Sequence, residues 1–115
     1  MQLSPEELEL ERQEILNAYK NLIRACMDYT TKDERQWIRK AFEYSMEAHK
    51  DARRKSGEPY IFHPIAVAKI VAKEMGLDAT SIVCALLHDV VEDTLAEVDD
   101  IRRDFGDTVA AIIDG

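Results

Sequence analysis

Residues 78–94 read Asp78-Ala79-Thr80-Ser81-Ile82-Val83-Cys84-Ala85-Leu86-Leu87-His88-Asp89-Val90-Val91-Glu92-Asp93-Thr94. From Ile82 to Leu87 every residue is apolar, so a helix here has no polar face. A helix apolar all round is a central, buried one. Asp78 or Thr80 supplies its N-cap, and the pattern predicts a helix running to about Glu92. Upstream, Pro64 suits the first turn of another helix, where a missing N–H costs nothing. Ile65, Ala66, Ala68, Ile70, Val71 and Met75 continue it, and Gly76 ends it as a left-handed cap. Before that lies a helix expected from Asp33 to Asp51. Trp37, Ile38, Ala41, Phe42, Ser45, Met46 and His49 give it one buried face.

The remaining elements follow from punctuation. Ser4-Pro5-Glu6-Glu7 places a cap, a first-turn Pro and two acids in the order that starts a helix. Leu8, Ile15, Tyr19, Leu22, Ile23 and Met27 carry that helix to about Tyr29, before a break at Thr30–Asp33. Two shorter helices are expected at 96–105 and 107–113. The fold class is therefore all-α, a bundle of about six helices. Residues 1–32 form a leader helix and 33–115 the body. Segment 52–64 carries Gly57, Pro59 and Pro64 and reads as a loop.

Composition excludes several functions. The 115 residues allow one domain. Apolar residues make up 46%, which excludes wholesale disorder, and 4 Gly with 3 Pro argue against a turn-rich sandwich or barrel. With 15 Lys and Arg against 23 Asp and Glu the net charge is -8, which argues against general nucleic-acid binding. No apolar run approaches a membrane span, and the acidic start MQLSPEELELERQE is no signal or transit peptide. A cytoplasmic chain is expected. Cys26 and Cys84 are far apart, fit no metal-ribbon spacing and sit in apolar helical contexts, where Cys behaves as a small hydrophobe.

The anomaly is the polar end of the apolar run. His88-Asp89 and Glu92-Asp93 follow it directly, and buried charge needs compensation. Asp89 shares a stripe with Ile82, Ala85 and Leu86, so its carboxylate should face inward. Glu92 lies four residues after His88 and Asp93 four after Asp89. The first pair suits a divalent metal and the second a water beside it, the division of labour in metal-assisted hydrolysis. The alternative is that Glu92-Asp93 are solvated residues in a loop after the helix. A metal needs more than two ligands, and either His49 or His63 could complete the site. His49 falls on an apolar helix face, where a hydrogen-bonded core role is the natural one, and His63 sits where the loop meets the bundle. The loop itself holds Arg53-Arg54-Lys55-Ser56-Gly57, the most basic short stretch in an acidic chain. Such a cluster is either a solvated turn or a site for phosphate and a stacked base.

Taken together, Ala48-His49, Arg54-Lys55-Ser56-Gly57-Glu58-Pro59-Tyr60, His63-Pro64, Ala85-Leu86-Leu87-His88-Asp89-Val90-Val91-Glu92-Asp93-Thr94, Phe105-Gly106 and Asp114-Gly115 resemble the N-terminal hydrolase domain of the RelA/SpoT alarmone enzymes. The resemblance covers about Asp33 to Gly115. It implies an HD-domain helical bundle and manganese-dependent removal of the 3′-pyrophosphate from guanosine tetra- or pentaphosphate, (p)ppGpp, giving GDP or GTP and pyrophosphate. By the same resemblance His63, His88 and Asp89 are metal ligands, and Glu92 and Asp93 activate the attacking water. Arg54 packs on the guanine, Lys55 and Ser56 line the nucleotide pocket, and His49 is no direct ligand. Asp51-Ala52 departs from the family, which more often has Gly-Gln there. The family's fourth metal ligand is an Asp downstream of the point where this sequence stops. The expectation is therefore an incomplete bundle that is weakly active or inactive alone, self-associates, and belongs to a longer protein that can carry a synthetase domain. Two readings compete: an HD phosphohydrolase for another nucleotide, and a degenerate hydrolase-like regulatory domain.

Overall fold

A computed structural model describes residues 2–93 and 96–115, with Asp93 described by its backbone alone. All the regular elements among them are helical. Helix α1 spans Pro5–Cys26 and begins in a capping box, with Ser4 accepting from the Glu7 N–H and Glu7 accepting from the Ser4 N–H. Ile15, Leu22 and Cys26 are its buried residues, and α1 ends in a 3₁₀ turn, Met27–Tyr29. Helix α2, Lys32–Ala48, opens with a second capping box, Thr31 with Glu34. Helix α3 spans Phe62–Lys69 and runs on as a π turn, Ile70–Glu74. Helix α4 is Ala79–Leu87, α5 the single turn Val90–Asp93, α6 Val98–Phe105 and α7 Asp107–Asp114.

Helix α4 is the core, as its apolar run predicts. Ile82, Val83, Leu86 and Leu87 are fully buried, and Cys84 and Ala85 nearly so. It packs against α2, α3 and α7, while α1 lies on α3 and the π turn. Tyr29 fixes the far end of α1, its hydroxyl lying 3.0 Å from the Ala72 carbonyl and 2.9 Å from that of Leu77. The Asp78 side chain accepts from the Ser81 N–H and caps α4. Gly76 adopts φ +60, the left-handed conformation expected where α3 stops.

Several boundaries differ from the sequence expectation, among them α6, which begins at Val98 rather than residue 96, and α1, whose α-helical part ends at Cys26. Helix α2 ends at Ala48 rather than Asp51, its last turn tightening as the Lys50 N–H reaches back to the Glu47 carbonyl. Helix α3 begins at Phe62 rather than Pro64. Pro64 is then the third residue, still within the first turn, whose N–H groups have no partner in their own helix. The largest difference is at α4, which stops at Leu87 instead of continuing to Glu92. His88 Nδ1 lies 3.1 Å from the Ala85 carbonyl, the oxygen that the Asp89 N–H would take in an unbroken helix. The imidazole competes for that acceptor, and His88-Asp89 forms a turn between α4 and α5.

Candidate metal centre

The turn and the start of α3 meet. Ligand atoms of His63, His88 and Asp89 all lie within 4.8 Å of one another, the group of metal-competent side chains found among the described residues. His63 enters from the first turn of α3, and His88 and Asp89 from the break after α4. The Asp89 side chain is only 13% exposed. Its Oδ1 is 3.0 Å from His88 Nε2, and its Oδ2 is 3.5 Å from His63 Nε2.

The hydrogen bonding specifies what this cluster needs. A carbonyl only accepts, so the His88 contact to Ala85 requires the proton on Nδ1. The Nε2 lone pair is then aimed at a carboxylate oxygen 3.0 Å away. Two acceptors at that distance need a proton or a metal cation between them. Fixing one ring nitrogen on a backbone carbonyl is also how ligating histidines are oriented. Two imidazoles and a carboxylate suit a divalent transition ion, so the residues present fit a metal.

Tyr60 completes the support. Its hydroxyl donates to Asp89 Oδ2 at 2.8 Å. Its ring lies 4.7 Å from that of His49 and 5.7 Å from that of His63, centroid to centroid. His49 is buried, 3% exposed, and stands behind Tyr60 rather than in the cluster. Sequence reasoning assigned Tyr60 no role. The available signal was its position three residues before His63, at the end of the loop that feeds α3.

The basic loop borders this centre. Arg53, Arg54, Lys55, Ser56, Tyr60 and His63 line one open cleft of about 590 Å³. Gly57 turns the loop at φ +94, and an isolated bridge pairs Arg53 with Pro59. Arg54, Lys55 and Ser56 are exposed, as is Glu92 on α5. The Asp93 side chain and Thr94 lie outside the described residues. The two cysteines stay apart from all of this. Both are buried and free, and burial pushes both thiols up from their ordinary range.

An all-helical bundle that presents His88-Asp89 beside a further histidine is the arrangement of an HD domain, and residues 41–115 match the family model described as HD domain. The chain belongs to that family, and its relatives there are RelA/SpoT proteins. It is 47% identical over 78 residues to a GTP pyrophosphokinase of Streptomyces coelicolor, covering 68% of this chain and 9% of the relative. It is 42% identical over 97 residues to the bifunctional (p)ppGpp synthase/hydrolase SpoT of Escherichia coli, covering 84% of this chain and 14% of that protein. A solved structure of a metazoan SpoT ortholog, described as hydrolysing ppGpp, matches with a TM-score of 0.67 at 31% identity, over 75% of this chain and 48% of that one. The chain thus spans about a tenth of the length of the curated relatives it matches. No helix among the described residues is long and apolar enough to cross a membrane.

Proposed function

We propose that this chain carries the hydrolytic centre of a manganese-dependent (p)ppGpp 3′-pyrophosphohydrolase. The observation that carries the reading is one cleft in which Arg54, Lys55 and Ser56 share walls with His63, itself part of the His63–His88–Asp89 cluster. A basic loop beside a metal-competent cluster suits a substrate that is both anionic and hydrolysable. The relatives named for (p)ppGpp chemistry supply the substrate class.

In this reading residues 1–32 are a leader helix and 33–115 the N-terminal part of the hydrolase domain. His63, His88 and Asp89 hold Mn²⁺, with Tyr60 orienting Asp89. Bound there, the cation would act as a Lewis acid toward phosphate oxygens and make nearby water more acidic. Arg54 packs on the guanine, and Lys55 and Ser56 line the nucleotide pocket. Glu92 is exposed on α5, three residues after Asp89, and is assigned to take a proton from the attacking water. Asp93 is assigned to the same task by its place in the sequence alone. Water adds to the phosphorus joined to the ribose 3′ oxygen, the bond to that oxygen breaks, the freed 3′ oxygen takes up a proton, and pyrophosphate and GDP or GTP are released. The whole protein is a cytoplasmic enzyme that can also carry a synthetase domain. The isolated chain self-associates and is weakly active or inactive.

The test measures Mn²⁺ binding by the chain together with pyrophosphate release from ppGpp, in Mn²⁺ and in EDTA, for wild type and His88→Ala. Binding and any release that both vanish in His88→Ala support the reading. Wild-type Mn²⁺ affinity in His88→Ala overturns the ligand assignment. Turnover of a different nucleotide with ppGpp untouched selects another HD phosphohydrolase.

A further inference from the structure

Arg53 begins the basic run yet is committed elsewhere. Its guanidinium donates to both carboxylate oxygens of Glu11, at 2.8 and 2.9 Å, and to the Gly57 carbonyl at 2.7 Å. Glu11 belongs to α1, 42 positions away in the chain. The pair is partly shielded, Arg53 being 41% and Glu11 25% exposed. Arg53 also holds the Glu11 carboxyl below its ordinary range. Within the loop the Arg54 N–H donates to the Glu58 carbonyl at 2.9 Å, and the Gly57 N–H to the Arg54 carbonyl at 2.8 Å. The Arg53 side chain therefore closes the tip of the loop onto its base, and Glu11 fastens both to α1. Arg54, Lys55 and Ser56 lie inside the segment so held.

We propose that Glu11 and Arg53 are positioning residues for an anionic nucleotide: α1 holds the basic loop in its receiving conformation and so sets affinity at the cleft. The proposal rests on the reading of that loop given above. A two-pronged guanidinium–carboxylate contact fixes direction as well as distance. Ordering a loop before the ligand arrives removes that ordering cost from binding. Anything that lifts α1 from the body then weakens nucleotide binding without altering a metal ligand, which makes α1 a point of control over the site.

The test compares the chain with Glu11→Ala, Arg53→Ala and the double variant. Three quantities are read: amide hydrogen exchange at Arg54, Gly57 and Tyr60, the ppGpp dissociation constant, and the Mn²⁺ dissociation constant. Glu11→Ala should speed loop exchange and weaken ppGpp by about two- to fivefold, the range of partly exposed ion pairs. Exchange in α4 and Mn²⁺ affinity should stay unchanged. Arg53→Ala should have the larger effect because it also loses Gly57, and the double variant should be no worse than Arg53→Ala. Unchanged loop exchange in Glu11→Ala, or strictly additive effects, overturns the proposal. So does faster loop exchange with ppGpp affinity unaltered. A wild-type chain that binds Mn²⁺ but no ppGpp overturns the alarmone reading and the nucleotide half of this proposal, while the exchange data still decide whether α1 orders the loop.

Discussion

Tyr60→Phe removes one oxygen atom and little else. The ring keeps its place beside His49 and His63, since the change leaves the packed atoms as they are. What disappears is the 2.8 Å hydrogen bond to Asp89 Oδ2. A hydrogen bond to a charged acceptor contributes about 1.5–3 kcal/mol. Groups that orient a metal ligand typically change metal affinity by about 10- to 100-fold, or about 1.4–2.7 kcal/mol. The two estimates overlap, so the expected result is a Mn²⁺ dissociation constant raised by about one to two decades. Calorimetric titration of wild type and variant measures it, with His63→Ala as the control that loses a direct ligand. Thermal melts in EDTA check that the metal-free fold is little affected. A Mn²⁺ affinity within twofold of wild type, with His63→Ala still damaging, would refute the claim that Tyr60 orients Asp89.

Three further outcomes are expected. Leu87→Ala empties a fully buried position on α4 and should cost about 2–5 kcal/mol in urea unfolding. Glu7 and Glu11 both have carboxyls held below their ordinary range, by Ser4 and by Arg53 respectively. Their contribution is therefore complete above the unfolded-state value near 4.5 and lost as pH falls through the lower folded value. Circular dichroism should show α1 fraying on acidification below that point, and Glu7→Gln should flatten this part of the titration. Burial raises both thiols, so iodoacetamide should modify Cys26 and Cys84 slowly in the native chain and rapidly in denaturant. Fast native alkylation of Cys84 would show that α4 is not the closed core described.

The helical class and the central helix were legible because Ile82–Leu87 leaves no polar face, and because Ser4, Asp78 and Gly76 are local signals with local causes. The break at His88 was not. It depends on a side chain reaching a backbone carbonyl, and residue spacing carries no trace of that choice. His88 and Asp89 were visible as a polar pair ending an apolar run. Their meeting with His63 follows from the packing of α3 on α4, which needed either the fold or the family resemblance. Tyr60 and Arg53 escaped for the same reason. The partner of each lies far along the chain, Asp89 for one and Glu11 for the other.

The ligand candidates arrive from two elements, His63 from the start of α3 and His88-Asp89 from the end of α4. An ion gripping both ends would also be a noncovalent staple across the body of the bundle, closing the chain between residues 63 and 89 into a ring. Metal supply would then govern how long the protein survives as well as how fast it works. At a free concentration about 100 times the dissociation constant, such a staple adds about 2.7 kcal/mol to folding, a large fraction of the reserve of an ordinary small domain. Withdrawing the ion would remove that margin and leave the bundle to stand on its packing alone.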